Sequence, residues 1–587
     1  MNVEQATTKK EHQVNKEAFI RDLIGKMTIE QKIGATCTFA FAGTFITPDV
    51  VDQITKYHCG GLRLHPHARM FGTYVDSRTG KTSVKIEHGM SIYKDADAPV
   101  LQGGEYRDVV GELQKIALER PLGIPLHFSI DMEAVGKHGC DNLFPGFIFF
   151  PNAMGITATG DKTNAYEAAR TIARQARAMG ITNVHGPVVD INVNPLNPEI
   201  GIRAYGDTVE TVVEYAKEAA RGYADGGVVA ALKHFPGRGD SAMDAHYDMP
   251  IIRADRETFH ARELQPYKEL IREGLAPSVM IGHSIFPAFD EEFVSSVSKK
   301  IITDLLRAEL GYEGVVTTDS MTMGGVAKRY GIANACAMAI EAGADLVLMK
   351  AQNNLVSETF EAIRSFVEMN RITEDDLDRK IFRVLSMKYD IGLFKNKQVE
   401  SLESIISDTA THAIALQAAR DSIIQDRIQP GILPFSDDDG KSYLLVEQSF
   451  LSLRHSTIHP GLIYKNLSKK IRNLRYLETS IEYDAEDKKN LEDLVPNADT
   501  VVLTSIFERG SASNCDYIDE LIDRFPEKDF IILSNTPYHF SIPERATNLF
   551  VFFTYTDKMA EAITDALCGT AEVDGRGPVA TRPSTAT

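Results

Sequence analysis

Between residues 34 and 349, short apolar runs alternate with longer stretches whose apolar positions recur at helical spacing. Runs of this length bounded by Gly and Pro read as buried strands, and the stretches between them read as amphipathic helices. Eight candidate strands begin at Gly34 (GATCTFA), Gly60 (GGLRL), Pro125 (PLHFSID), Val184 (VHGPVVDI), Val228 (VVAALKHF), Ser278 (SVMIGH), Gly314 (GVVTTDS) and Asp345 (DLVLM). Helical segments such as TNAYEAARTIARQARAMG from Thr163 and TVETVVEYAKEAARGYADGG from Thr208 fall between them and end at Gly, a residue suited to a helix C-terminus. Eight strand–helix units in series are the repeat of a TIM (β/α)8 barrel, an α/β fold.

The pattern changes at both ends of this region. Residues 371–395 read as a closing helix and the polar stretch 396–405 as a linker. A smaller α/β domain over 406–570 is expected, with strands near Tyr443, Thr500, Phe530 and Leu549, and LTSIFERGSASN from Leu503 as its candidate rim loop. The barrel domain is placed at 19–395, with residues 1–18 and 571–587 as tails. The segment from His65 to Gly104 is too long for an ordinary connection after a strand, and loops of that size are functional or disordered.

Charge narrows the choice of partner. Lys plus Arg number 63 against 82 Asp plus Glu, a net charge of −19, which repels phosphate backbones and anionic lipid. Nucleic acid and membrane are therefore not expected partners, and no run of 18 apolar residues occurs. The six cysteines are scattered with no CxxC pair, so neither a disulfide framework nor a zinc site is signalled, and a cytoplasmic location is expected. His65 and His67 have metal-pair spacing but no third ligand near in sequence, and no metal or cofactor is assigned.

In a TIM barrel the working groups stand at the C-terminal ends of the strands. Here those ends carry Asp131, Lys233 with His234, His283 and Asp319. One acidic strand end is commonly a helix cap, but polar ends on several strands converge on one rim. The most informative stretch is LKHFPGRGDSAMDAHYDMP, Leu232 to Pro250, where Pro236 stops the strand and Gly237 and Gly239 permit backbone turns. Asp244 and His246 are two apart, on one side of an extended segment. An Asp that accepts from one imidazole nitrogen leaves the other free to exchange a proton. Asp190 and Asn192 read as loop supports, His127 as a core histidine, and His185 as either. Glu133 is within reach of the pocket and is not given a catalytic role.

The segment KHFPGRGDSAMDAH resembles the KHFPGHG…D(S/T)H signature of glycoside hydrolase family 3, in its β-N-acetylglucosaminidase branch. DMEAV at Asp131, FPNAMGITATGD at Phe150, PVVDINVNPLNPEIGIRAYGD at Pro187 and GVVTTDSMTM at Gly314 are similar to further motifs of that family, in the same order, over nearly all of residues 19–395. The resemblance implies a retaining glycosidase. Asp319 matches the nucleophile that forms a covalent glycosyl-enzyme, and His246, held by Asp244, matches the acid/base. Asp131, Arg203, Lys233 and His234 match positions that bind the hydroxyls of the terminal sugar, with His283 and Arg238 as further binders. A nearby anion for an oxocarbenium-like transition state and a proton for the departing oxygen are what this chemistry needs.

Several positions depart from the branch. Arg238 stands in place of His, Ala245 in place of Ser or Thr, and Ala134-Val135 in place of a Gly pair. The expected activity is exo-hydrolysis of terminal β-linked N-acetylhexosamine. The alternatives are a β-glucosidase or phosphate-using phosphorylase of the same family and, from another class, a sugar-binding protein without catalysis. A carbohydrate is the expected partner, with a homodimer as one assembly to test.

Overall fold

The computed structural model describes residues 3–65, 72–75, 82–86, 103–133, 146–245, 249–350, 354–395, 399–449, 461–507 and 513–579, with side chains from residue 15 onward. The hairpin at 72–75 and 82–86 is described by its backbone alone, and Ser449 likewise. His246, His67 and most of the segment between residues 65 and 104 lie outside the described residues, as do the tip of the expected rim loop (508–512) and residues 580–587.

Eight parallel strands close into a barrel: β1 (Cys37–Ala42), β2 (Gly61–His65), β3 (His127–Asp131), β4 (Asn183–His185), β5 (Val229–Phe235), β6 (Ser278–Ile281), β7 (Val315–Ser320) and β8 (Leu346–Leu348). Every strand pairs with its sequence neighbours, and β8 returns to β1 through Cys37 opposite Val347. The eight expected strands are therefore present. The one begun at Val184 is shorter than expected, because Gly186-Pro187 follows and Pro has no N–H to continue the ladder. Side chains such as Phe39, Leu62, Phe128, Leu232, Val279 and Val316 are wholly or almost wholly buried, as expected for strands covered by helices on one face and filling the barrel on the other.

Local sequence signals set the helix ends. Thr28 and Gln31 form a capping box on Ile29–Ala35, and Thr373 with Asp376 does the same on the closing helix Glu374–Asp390. That helix is tied to the N-terminal face of the barrel by buried ions. Arg383 donates to Asp345 Oδ1 from Nε and Nη2 (2.9 and 2.7 Å), while Asp345 Oδ2 accepts from Arg307 and from the backbone N–H of Val316. Lys388 donates to the carbonyls of Gly60 and Pro125, both at 2.7 Å, and burial pushes its ammonium down to about 7. An unbroken helix over Val3–Lys26 replaces most of the expected N-terminal tail, and Lys16 from it bonds Asp390 at 2.6 Å.

Among the described residues the second domain carries six strands where four were expected: β9 (Ile424–Arg427), β10 (Tyr443–Ser449), β11 (Leu474–Ser480), β12 (Thr500–Ser505), β13 (Asp529–Ser534) and β14 (Leu549–Val551). Their order is β9-β14-β13-β12-β10-β11, with only the β9–β14 pair antiparallel. The two unexpected strands are edges. β11 reads LRYLETS with mixed burial and β9 reads IQDR, so neither shows the continuous apolar run of a central strand.

The domains share a core. Met154 and Ala158 of the barrel pack among Val446, Val501, Leu503, Tyr538 and Phe553 of the second sheet. Asn152 caps its own helix by accepting from the Gly155 N–H (3.0 Å) and also reaches across: its backbone N–H donates to Thr554 Oγ1 (2.7 Å) and its side-chain amide donates to the Phe553 carbonyl. The start of the expected C-terminal tail is part of this seam. Gly575 N–H bonds the Ile423 carbonyl, Arg576 N–H bonds the Ala158 carbonyl, and Val579 is buried.

Candidate active site

The ends of β2 through β8 bring a ring of ionised and polar side chains to one mouth. Asp131, the last residue of β3, accepts from Arg63 of β2 and from His185 Nδ1 of β4 at 2.9 Å. Lys233 Nζ lies 3.7 Å from it and Lys350 Nζ 4.0 Å. Burial opposes the ionised form, but Arg63, Lys233 and the His185 bond together hold this carboxyl well below the usual range. Two residues on, Glu133 is clamped by Arg203 and Lys233, with Arg203 Nη2 at 3.1 Å from Oε1, and its carboxyl is likewise held far down against burial. His185 is buried and pushed down by desolvation, so it serves Asp131 as a neutral ring.

The loop after β4 is stapled by its own side chains. Asn197 Oδ1 accepts from the N–H groups of Glu199 and Ile200, and Asn192 Oδ1 from that of Gly201, which sets the short turn Gly201–Arg203 and aims Arg203 inward. Asp190 accepts from His234 Nδ1 (2.7 Å) and from the backbone N–H groups of His234 and Arg238. Burial pushes Asp190 up to about 6 and His234 well down, so near neutrality a carboxylate accepts from a neutral ring. His234 Nε2 then faces Arg203 Nη2 at 3.4 Å and Asp319 at 4.0 Å. The expectation that Asp190 and Asn192 act as supports agrees with these contacts.

Beyond β5 the chain turns sharply. A Cβ on Gly239 would lie 1.6 Å from the Ile191 carbonyl oxygen, and Gly237 has φ +131°, so both glycines are required by the turn. Asp319 stands at the penultimate position of β7, one oxygen accepting from the Ser320 N–H at 2.6 Å. Its other oxygen is 4.0 Å from both His234 Nε2 and Arg238 Nη2. The site thus presents a carboxylate among fixed cations and hydrogen-bond donors, an arrangement able to meet a developing positive centre while gripping hydroxyl groups.

A family model described as the glycosyl hydrolase family 3 N-terminal domain matches residues 100–387. The β-hexosaminidase LpqI of Mycobacterium tuberculosis is 30% identical over 347 residues, which cover 58% of this chain and 78% of that protein. The chain belongs to glycoside hydrolase family 3. β-Hexosaminidase A of Pseudoalteromonas piscicida is 27% identical over 354 residues, 57% of this chain and 58% of its own length. A β-N-acetylglucosaminidase/β-glucosidase of Cellulomonas fimi is 29% identical over 331 residues, 57% of its own length, so the chain spans little more than half of these two relatives. The solved family 3 β-N-acetylglucosaminidase of Paenibacillus sp. superposes with a TM-score of 0.81 at 29% identity, covering 94% of this chain and 99% of that one.

Within this family 3 barrel, Asp131, Arg203, Lys233, His234 and Asp319 gather at one mouth, as the sequence reading expected of them. Asp244 is nearly buried on the loop that leads to His246. Two expected substrate binders are placed differently. His283 is fully buried, its ring between Ser296 Oγ (2.8 Å) and the Ser320 carbonyl (3.0 Å), so it braces the end of β7 and does not face the mouth. Arg238 is also fully buried and pairs through Nη2 with Glu199 at 2.6 Å, a buried counter-ion that holds it below the surface of the pocket. Sequence reasoning missed Arg63, Glu199 and Lys350. The positions of Arg63 within β2 and Lys350 two residues past β8 were the available signals, since a cation at a barrel strand end is seldom there for packing. His127, expected in the core, is buried with Nε2 2.8 Å from Thr38 Oγ1. Among the described residues no group of three His, Cys, Asp or Glu is placed to hold a metal ion.

Proposed function

We propose that the protein is a retaining, exo-acting β-glycosidase that removes terminal β-linked N-acetylhexosamine. The observation that carries this reading is the partly accessible Asp319 carboxylate set at 4.0 Å from His234 and Arg238, beside the Asp131–Lys233–Glu133–Arg203 cluster. In this reading Asp319 attacks the anomeric carbon while His246, oriented by Asp244, protonates the departing oxygen. The same imidazole then takes a proton from water as it opens the glycosyl-enzyme. Asp131, Arg203, Lys233 and His234 fix the ring hydroxyls, each charge-assisted bond contributing about 1.5–3 kcal/mol. The names of the relatives from Mycobacterium, Pseudoalteromonas and Paenibacillus support the choice of an N-acetylated sugar.

A second reading is transfer to phosphate; what favours it is Lys350, 4.0 Å from Asp131, which adds a further cation to the mouth that an anionic acceptor would enter. A panel of nitrophenyl β-glycosides measured with and without inorganic phosphate separates the two. Release of free N-acetylhexosamine without phosphate supports the first, and sugar 1-phosphate as the main product supports the second. A preference for plain glucosides by more than tenfold would refute the sugar assignment.

A further inference from the structure

Glu199 lies at the centre of contacts that the chemistry above does not use. Its Oε1 accepts from Arg238 Nη2 at 2.6 Å, and its Oε2 accepts from the backbone N–H of Ala245 at 3.2 Å. Ala245 is the residue between Asp244 and His246. Arg238 Nη2 in turn lies 4.0 Å from Asp319 Oδ2. The backbone around Arg238 is fixed as well: its N–H donates to Asp190, and Asn197 Nδ2 donates to the carbonyls of Arg238 and Gly239 (2.9 and 3.2 Å). Glu199 and Arg238 are both nearly inaccessible to solvent, so their ion pair is desolvated and its geometry constrained.

From these contacts we infer that Glu199 is a positioning residue that ties the loop bearing Asp244 and His246 to the strand end bearing Asp319, with Arg238 as the intermediate link. The inference rests on the assignment of His246 as acid/base. The physical argument is one of register. Two groups that must act together on one glycosidic bond come from different segments of the chain, one beyond β5 and one at the end of β7, and misplacement of either by about an ångström costs on the order of a hundredfold in rate. A single carboxylate with one oxygen on the loop backbone and the other on the cation beside the nucleophile couples their positions. It also explains how Arg can replace the branch's His at position 238: the added charge comes with a buried counter-ion, supplied by the neighbouring loop, that offsets its repulsion by Arg203, and it does not reach the pocket surface. Ala245 fits the same account, because the backbone N–H is the group that is held and the side chain is not needed for it.

The test compares wild type, Glu199→Gln and His246→Ala by hydrogen exchange and by kinetics on aryl and alkyl β-N-acetylglucosaminides. The Gln variant keeps the volume, but its single carbonyl can serve Arg238 or the Ala245 N–H and not both. Expected results are a several-fold faster exchange of the peptide that contains Ala245 and a fall in kcat/KM of about 10–100-fold for alkyl leaving groups, with a fall of less than threefold for dinitrophenyl. A role confined to stability would lower Tm and leave that leaving-group pattern flat. If Glu199→Gln does not fold because Arg238 is left without a counter-ion, the double variant Glu199→Gln/Arg238→His removes both charges and should show the same loosened loop. Unchanged exchange at Ala245 in whichever variant folds overturns the inference, whatever the kinetics. If His246→Ala itself slows all leaving groups equally, the acid/base assignment fails, and the Glu199 link stands or falls on the exchange result alone.

Discussion

Glu133→Gln tests whether the ion cluster behind the site holds the barrel together. The carboxylate is buried, 6% exposed at the side chain, and it is the shared counter-ion of Arg203 and Lys233, themselves 11% and 3% exposed. Neutralising it takes from two buried cations the carboxylate they share, leaving Asp131 at 3.7 Å from Lys233 and the fields of Glu199 and Asp190 on Arg203. Breaking a buried pair by removing one partner costs about 3–5 kcal/mol, much of it from the charge left behind. Unfolding entropy is about 2.1 cal/mol/K per residue, so over a 587-residue chain whose domains share a core this corresponds to a fall in Tm of about 2–4 °C. The control is Glu17→Gln, which removes the exposed Arg21 pair and should shift Tm by less than half a degree. The effect also has a pH signature. The folded carboxyl is held below its ordinary 4.5, so its contribution is present above about pH 4.5 and is lost as pH falls toward the folded value. Melting curves of wild type and variant should therefore differ most near neutrality and converge below pH 4. A loss under 0.5 °C at pH 7, or a gap that widens on acidification, would refute the account of Glu133 as the cluster's counter-ion.

Asp319→Asn should leave Tm within about a degree of wild type and reduce turnover by more than a thousandfold, and a 2-fluoro-glycoside should label the peptide carrying Asp319 in wild type; a label on another acidic residue sinks the nucleophile assignment. Lys350→Met should raise KM for N-acetylhexosaminides by less than threefold while weakening any dependence of rate on phosphate more than tenfold, and an unchanged phosphate response would remove the cation from the second reading. Lys388→Met should destabilise the barrel by about 2–4 kcal/mol, because two buried carbonyls lose their donor. Since the folded Lys388 ammonium is pushed down to about 7 while the unfolded one stays near 10.5, wild-type stability should rise from this group between pH 7 and 10, a slope the Met variant lacks.

The barrel was legible because parallel strands covered on both faces leave continuous apolar runs, and all eight runs became strands. In the second domain the central strands Tyr443–Ser449 and Thr500–Ser505 were visible for the same reason, whereas the edges at Leu474 and Ile424 were not, since half-exposed strands alternate irregularly. At the site, Asp131, Lys233, His234 and Asp319 could be found from strand ends alone. Burial was the quantity the sequence withheld. His283 and Arg238 sit in motifs that suggest contact with a ligand, yet His283 is consumed by Ser296 and Ser320 and Arg238 by Glu199. Glu199, in turn, carries no local mark, because its importance comes from a partner 39 positions away.

The seam between the domains bears on how such a chain can be rebuilt. Tyr538 of the second domain, almost fully buried, accepts from the Asn192 side chain at 2.8 Å, and the other end of that same side chain accepts from Gly201 N–H to set the turn that aims Arg203. A barrel cut out at residue 395 would expose the face around Met154 and Ala158 and would free the amide that fixes Arg203. Swapping second domains between homologues therefore transmits a change to the loop that bears Arg203 through one phenol oxygen. A graft that does not restore that phenol should yield a soluble chimera with a loosened Arg203, so position 538 is the first residue to carry across in any recombined enzyme.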